Sequence, residues 1–318
     1  MKMRKKLDFT DVIKYYGTVI AGVLIVLVFS ILKPNAFATI GNFINISRQI
    51  SLLVVISLGA TLIMSIEEFD LSIGAIASLG GVLGAKLAVA GVPIWLCFVL
   101  PVVACLLIGF INGWIVTKFK VLSFITTLAM STIIAGFTFW VTSGATVFVN
   151  IPKGFRFIGS EALFSIPLLS ILMAILTAVF WFVMKKTVFG RKLYAIGGNE
   201  NASVVAGIQV KKLKNITFAL CGGLAGLTGI LMASRLGSAH PTGGNGLFLQ
   251  AYAAVFLGRT IFREGVPNII GTFIGAAILG ILANGLTILQ VPTFMQDILT
   301  GVIIIAAVIV QRLGRGLK

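Results

Sequence analysis

Apolar residues along this chain gather into runs long enough to cross a lipid bilayer, with short polar links between them. A spanning helix takes roughly 20 residues, within a range of about 17–25. Runs of that size cover residues 16–32, 48–65, 72–90, 94–116, 121–142, 165–184, 215–236, 247–262, 266–289 and 294–311. The pattern predicts an all-α integral membrane protein with about ten transmembrane helices, forming a single transmembrane domain over residues 1–318. The eighth run is short, which leaves open a broken or re-entrant helix there.

The polar links differ in charge, and their order predicts the orientation of the chain. Cytoplasmic links of membrane proteins carry an excess of Lys and Arg. If the basic N-terminus is cytoplasmic and ten spans alternate, every concentrated basic link falls on the cytoplasmic side. Those links hold Lys118 and Lys120, then Lys185 through Lys214, then Arg259 and Arg263, and finally Arg312, Arg315 and Lys318. We therefore expect a multi-pass membrane protein with both termini in the cytoplasm.

Composition agrees with this class of protein. The chain is 58% hydrophobic and 11% charged, with a mean hydropathy of +1.09, as expected where the solvent is mostly hydrocarbon. In a soluble protein the formal net charge of +16 would suggest nucleic acid as a partner. Here the cations lie in the links between spans, as the orientation requires, so we expect contact with membrane lipid and no nucleic acid.

The longest basic link, residues 185–214, contains a stretch that is typical of a docking element. Asn199 has the side chain of an N-cap, Glu200 suits the positive end of a helix, and Gly207 suits its end. These signals predict a short helix over Ala202–Ala206. Such a helix is only marginally stable alone in water, so we expect it to pack into a groove on a partner. The predicted contact surface consists of Val204, Val205 and Ile208, with Arg191 and Lys192 as its polar rim.

An acidic segment, SIEEFDLSIG, lies between the second and third predicted spans. An ionised carboxylate at the bilayer centre costs roughly 2.5–3.5 kcal/mol. Glu67, Glu68 and Asp70 must therefore lie at the cytoplasmic interface, pair with cations or border a water-filled cavity. One interpretation is an interfacial turn in which Asp70 caps the next helix, beside Ser72. The other is a hinge or gate at the mouth of a transport pathway.

Further polar side chains lie at or near span interiors, where an unpaired polar group is costly. They are Asn112, Gln250, Asn284 and Asp297. Hydrogen bonds between helices and a polar lining for a hydroxyl-bearing solute both explain them, and the sequence leaves both open.

Pairs of glycines spaced four residues apart predict close contact between helix backbones. The pairs are Gly80/Gly84, Gly222/Gly226 and Gly271/Gly275. They favour a tightly packed bundle.

The sequence contains no set of residues for catalysis or for metal binding. The single histidine, His240, has no neighbouring ligands, and the three cysteines lie within apolar runs without metal-type spacing. A nucleotide-binding P-loop is also lacking, because Lys185 precedes Lys186-Thr187 where that motif needs glycine. We therefore expect no enzyme activity and no cofactor or metal on this chain. If ATP energises transport, a separate chain must hydrolyse it.

Three segments carry a family resemblance: FDLSIGAIASLGG after the second span, FGRKLYAIGGNENASVVAGIQVKKLK in the long link, and GILMASRLGSAHPTGGNGLFLQAYAAVFLG followed by IIGTFIGAAILGILANGLTIL. In this order they resemble the permeases of sugar-type ATP-binding-cassette importers, the group for ribose, galactosides, xylose and arabinose. The second segment resembles the family's coupling loop, and the first resembles its IDLSVGA segment. The resemblance extends from about Asn45 to Arg312.

The resemblance implies a permease subunit that imports a monosaccharide, a pentose or a related sugar, across a bacterial inner membrane. It implies two cytoplasmic ATPase subunits that use ATP, a second permease copy or close relative, and an extracytoplasmic sugar-binding protein. It also implies the type II importer fold, with two pseudo-symmetric five-helix halves. The implied ATPase-coupling residues are Gly190, Arg191, Tyr194, Gly197, Gly198, Asn199, Ala202, Val205, Gly207 and Ile208. The candidate pathway or gate residues are Glu67, Asp70, Ser72, Asn112, Gln250 and Asn284.

The chain departs from the family pattern at two places on the same predicted side of the membrane. Glu67-Glu68 stands where the family often has a glycine pair, and Arg259 and Arg263 lie in a stretch that is glycine-rich in the family. We expect one of these glutamates to pair with one of these arginines. An importer of branched-chain amino acids or nucleosides is the alternative within the fold. An ion-coupled secondary transporter is the alternative outside it.

Overall fold

The structure, a computed structural model, describes residues 9–261 and 265–316. Almost all of its regular secondary structure is helical, with one short antiparallel hairpin. In chain order the elements are α1 (Phe9–Leu32), α2 (Pro34–Phe37), α3 (Ile40–Ser65), α4 (Ile73–Val89), α5 (Ile94–Phe119), α6 (Ser123–Thr142), α7 (Lys153–Ser160), β1 (Ala162–Leu163), β2 (Ile166–Pro167), α8 (Leu168–Lys186), α9 (Val188–Gly198), α10 (Glu200–Val205), α11 (Val210–Leu236), α12 (Asn245–Ile261), α13 (Ile269–Ile288) and α14 (Thr293–Gly316).

The long helices lie where the apolar runs predict them. Six helices in the described part of the chain are long and apolar enough to cross a membrane, judged by length and composition: α3, α5, α6, α8, α11 and α13. The all-α membrane class is therefore confirmed, and the total of ten spans stays a prediction. The eighth run forms one helix, α12, which is continuous from Asn245 to Ile261, so of the two alternatives left open there the broken helix is excluded over these residues.

Two helices form the centre of the bundle. α11 packs against α5, α4 and α3, and α3 also contacts α13, α8 and α12. Every residue of α3 from Ile50 to Ser65 is buried, and a helix that is apolar and buried all round belongs to the interior. α5 and α6 instead expose large apolar side chains such as Trp95 and Trp140, as expected for helices that face lipid.

Helix backbones approach closely where the glycine spacings predict. A Cβ atom added to Gly80 on α4 would lie 2.6 Å from the carbonyl oxygen of Gly226 on α11. A Cβ on Gly275 of α13 would overlap the carbonyl oxygen of Ala254 on α12. Both contacts confirm the predicted close packing, because any side chain at these positions would separate the helices.

Short elements between the long helices were not predicted. The link between α6 and α8 contains α7 and the β1–β2 hairpin, and α7 is held by Ser234 of α11. The Ser234 hydroxyl donates to the Phe155 carbonyl at 2.7 Å and accepts from the Gly159 N–H at 3.0 Å. These hydrogen bonds join residues that are far apart in the sequence, so the local apolar pattern does not predict them.

Candidate functional site

The segment from Thr187 to Gln209, called here the coupling segment, consists of two consecutive helices. The predicted short helix is α10, and the carboxamide oxygen of Asn199 accepts a hydrogen bond from the Ala202 N–H at 2.9 Å, as an N-cap does. Gly207 follows with φ of +77°, the left-handed conformation that glycine adopts freely at helix ends. The predicted cap and stop are confirmed, with the helix starting at Glu200 rather than at Ala202.

The first helix of the coupling segment, α9, was not predicted. It contains three glycines, which are poor helix formers, and two of them allow close packing. A Cβ on Gly190 would overlap the backbone of Met184, and one on Gly197 would overlap the carbonyl oxygen of Ser65. Tyr194, between them, donates its hydroxyl hydrogen to the Pro267 carbonyl at 2.9 Å. This side of α9 therefore holds the segment against the end of α3 and the start of α13.

The opposite side of the coupling segment is exposed. Val204 is 57% exposed and Val205 is 89% exposed, although valine is usually buried. Arg191, Gly198 and Ala202 are exposed as well. Ile208 differs from its predicted place, because it is half-buried and packs against the central core. The exposed apolar surface of the coupling segment therefore consists of the two valines of α10.

Residues Ile66–Ser72, called here the acidic turn, connect α3 to α4 and are fixed by side chains of other helices. The Phe69 N–H donates to the Ser123 hydroxyl at 3.3 Å, and the Leu71 N–H donates to the Thr127 hydroxyl at 3.0 Å. The Asp70 N–H donates to the Tyr252 hydroxyl at 2.7 Å. Buried backbone groups need such partners, so the turn depends on α6 and α12 for its conformation.

Asp70 lies at the centre of this arrangement and is fully buried. Its Oδ1 accepts from the Ser72 N–H at 2.9 Å and from the Ser72 hydroxyl. Asn112 on α5 donates to the same hydroxyl at 2.9 Å. Asp70 thus accepts hydrogen bonds from Ser72 just before α4, as in the capping interpretation of the acidic segment, and Ser72 connects it to α5. Burial raises the pKa of Asp70 to about 6, against the opposing effect of its hydrogen bonds from Ser72 and Asn112.

Both glutamates of the acidic turn form ion pairs. Glu67 lies 3.3 Å from the guanidinium of Arg259 on α12, which confirms the predicted pairing for this residue; Arg263 lies outside the described residues. Glu68 pairs instead with Lys214 of α11, with Nζ and Oε1 2.6 Å apart. The Lys214 ammonium also lies 2.8 Å from a carboxylate oxygen of Glu200 on α10. The role of Lys214 was not predictable from the sequence, because the basic link contains several lysines and only the orientation of α11 distinguishes them.

The six candidate pathway residues do not form one cluster. Glu67, Asp70 and Ser72 lie in the acidic turn, and Asn112 joins them from α5. Asn284 instead exchanges two hydrogen bonds with Asn42, at 3.0 and 3.1 Å, at the other end of α3. Gln250 is half-buried on α12 and lies about 200° around that helix from Tyr252. Asp297 is exposed on α14.

An open cleft adjoins the coupling segment and the acidic turn. Its volume is about 1040 Å³. It is lined by Ser65, Glu67, Trp181, Met184, Lys185, Tyr194, Gly197, Gly198 and residues 266–270. Within the described residues, His, Cys, Asp and Glu side chains form no group that could hold a metal ion. Cys97, Cys105 and Cys221 are free and buried.

Comparison with known proteins defines the class. Residues 42–308 match the family described as the branched-chain amino acid transport system / permease component, and the chain belongs to this family. It is therefore a multi-pass membrane transport protein and not an enzyme. No solved structure matches the chain.

Individual relatives are similar over almost the whole chain. The chain is 37% identical to the ribose import permease protein RbsC of Bacillus subtilis over 310 residues, covering 97% of this chain and 96% of that protein. It is 35% identical to the D-allose transport system permease protein AlsC of Escherichia coli over 315 residues, covering 98% and 95%. It is 32% identical to the probable ABC transporter permease protein YphD of Escherichia coli over 293 residues, covering 92% and 88%.

Proposed function

We propose that this chain is the membrane-spanning permease subunit of an ATP-binding-cassette importer for a monosaccharide, a pentose or a related sugar. The observation that carries the proposal is α10, a capped helix that exposes Val204 and Val205 within the most basic link of the chain. An exposed apolar pair on a short helix fits a groove on a partner protein. The sugar class follows from the names of the relatives RbsC and AlsC.

In this proposal one face of the coupling segment binds the ATPase, and the other face packs on the helix bundle. Arg191, Ala202 and Val205 contact a separate cytoplasmic ATPase, which binds and hydrolyses the ATP. Gly190, Tyr194, Gly197 and Ile208 hold the segment on the bundle, and Gly198, Asn199 and Gly207 set the ends of its helices. ATP-driven movement of the ATPases displaces α10 and with it the helices that control access to the pathway.

The candidate gate is the acidic turn with its partners. Glu67, Asp70, Ser72 and Asn112 lie on the proposed cytoplasmic side of the pathway, where a few hydrogen bonds join α4, α5 and α12. Asn284, paired with Asn42, and Gln250 contribute polar groups elsewhere along it. A hydroxyl-bearing solute exchanges hydrogen bonds with such groups more easily than with an apolar wall.

The proposed assembly follows from orientation and family. The chain forms one transmembrane domain in two pseudo-symmetric halves, with residues 185–214 and both termini in the cytoplasm of a bacterium. It pairs with a second permease subunit in the inner membrane and receives the solute from an extracytoplasmic sugar-binding protein. Nucleic acid has no role, because the excess positive charge serves membrane orientation.

Co-purification tests the docking part of the proposal. The unaltered chain should retain its ATPase in detergent, and the Val205→Asp variant should lose it, because a charge then enters the apolar contact. Val149→Asp is the matched control, since Val149 is 58% exposed in the link before α7. Retention of the ATPase by Val205→Asp would contradict docking through α10.

Uptake measurements test the solute class. Proteoliposomes with the chain, its ATPase and its binding protein should accumulate at least one of D-ribose, D-allose and D-xylose when ATP is enclosed. Accumulation of L-leucine alone would instead support the branched-chain amino acid alternative.

A further inference from the structure

Lys214 is a buried cation held between two carboxylates. Its side chain is 8% exposed, and its ammonium lies 2.6 Å from Glu68 and 2.8 Å from Glu200. Lysine is almost never fully buried unless it is paired. The neighbouring Lys211 and Lys212 on the same helix are exposed. The buried position of Lys214 is therefore maintained by its two acidic partners.

The two carboxylates belong to elements with different proposed roles. Glu200 is the first residue of α10 and is 52% exposed, whereas Glu68 belongs to the acidic turn and is 18% exposed. α10 and the acidic turn are far apart in sequence. Lys214, in the second turn of α11, forms an ion pair with both carboxylates and so connects the two elements.

From Glu68, a series of hydrogen bonds extends along the acidic turn to other helices of the bundle. Two residues later, both backbone polar groups of Asp70 bind the Tyr252 hydroxyl, at 2.7 and 3.2 Å. Ser72 then accepts a hydrogen bond from Asn112. A displacement of Glu68 therefore acts on the start of α4, on α5 and on α12 through short, buried hydrogen bonds.

We propose that Lys214 is a positioning residue that transmits movement of α10 to the acidic turn through Glu200 and Glu68. This inference rests on the proposed function, because it requires that the ATPase binds and moves α10. Charge-assisted hydrogen bonds are short and about twice as strong as neutral ones, so the two bonds resist stretching when α10 moves. A neutral side chain at position 200 or 214 removes the ion pair between α10 and α11, and one at position 68 removes the ion pair between α11 and the acidic turn.

The experiment compares transport per ATP hydrolysed in proteoliposomes that contain the whole importer. The probe is whichever of D-ribose, D-allose and D-xylose the unaltered complex imports fastest. Glu68→Gln, Glu200→Gln and Lys214→Met should retain the ATPase and hydrolyse ATP, yet import roughly fivefold less sugar per ATP, as expected for a loss of about 1 kcal/mol in coupling. Lys214→Arg, which keeps the charge, should recover most of the ratio, and Lys211→Met is the matched control with an unchanged ratio.

Glu68→Gln keeps the test decisive if Lys214→Met fails to fold, because glutamine preserves size and still accepts a hydrogen bond from the lysine. An unchanged ratio in Glu68→Gln, or the same loss in Lys211→Met, would overturn the inference while leaving the proposed function intact. Loss of the ATPase from Glu200→Gln but not from Glu68→Gln would overturn it too, because Glu200 would then act in docking. Failure of the unaltered chain to bind an ATPase would contradict the proposed function itself.

Discussion

The guanidinium of Arg259 lies 3.3 Å from the carboxylate of Glu67, so that α12 is tied to the turn between α3 and α4. Arg259 is 5% exposed, while Glu67 is 54% exposed. Arg259 also donates to the Gly265 carbonyl at 3.1 Å. The arginine is thus the buried member of the pair, and a buried charge needs such partners.

Reversal of either charge in this pair should impair transport. Glu67→Arg brings a second cation to Arg259, and Arg259→Glu buries a carboxylate beside Glu67. We expect uptake to fall about tenfold in each, the effect of about 1.4 kcal/mol. The double reversal should restore part of the activity, measured as initial sugar uptake. Absence of any rescue would show that the two residues act independently.

Asp70 predicts a pH dependence of stability. Its pKa is 3.8 as a free side chain and about 6 in the fold, chiefly because of burial. Between these values the folded state holds more protons than the unfolded state, so the free energy of unfolding falls as the pH rises, by up to about 3 kcal/mol. Above about pH 6 this contribution is constant.

Asp70→Asn tests this dependence. The amide is neutral at every pH and keeps the oxygen that accepts from Ser72, and its NH2 group replaces the Oδ2 atom, which lacks a hydrogen-bond partner among the described residues. At pH 7 the variant should melt at a higher temperature than the unaltered protein, and near pH 4 the difference should vanish. The exposed Asp297→Asn should show no such change. A lower melting temperature for Asp70→Asn at pH 7 would contradict a destabilising buried charge.

Glycine at the contact of α4 and α11 should be essential for packing. A Cβ on Gly229 would overlap the carbonyl oxygen of Ala77, so Gly229→Ala forces the two helices apart and should cost about 1–3 kcal/mol or more. Gly136→Ala on α6 is the control, because a Cβ there meets nothing within 4 Å. Thermal unfolding in detergent compares them, and equal stability of the two variants would argue against close contact at Gly229.

The orientation predicts which surfaces a membrane-impermeant maleimide reaches. The native cysteines are buried and should not react. In intact cells Phe164→Cys should be labelled, since Phe164 is 91% exposed in the hairpin on the proposed outer side. Val205→Cys should be labelled only after the membrane is opened. The reverse pattern would invert the topology.

Local signals in the sequence were sufficient for the long apolar helices and for the cap and the glycine stop of α10. The Asn199 cap and the Gly207 stop depend on neighbouring backbone groups, so they are readable from sequence alone. The Glu67–Arg259 pair was predictable as well, because two unusual opposite charges were expected on one side of the membrane.

Most hydrogen bonds between distant parts of the chain were not predictable. Tyr252 shows no local sign that it binds Asp70, 182 residues earlier. Lys214 differs from Lys211 only in the face of α11 that it occupies. α9 contains three glycines, which are poor helix formers, and its helix is supported by packing on α3. These features need the arrangement of the bundle, which the apolar pattern does not specify.

The most direct test of the account is ATP-dependent sugar uptake by proteoliposomes that contain this chain, its ATPase and its binding protein. We predict that uptake requires all three proteins and enclosed ATP, and that Val205→Asp abolishes it while Val149→Asp does not. Uptake by the chain alone, driven by an ion gradient and unaffected by Val205→Asp, would contradict the proposal that α10 couples this permease to an ATPase.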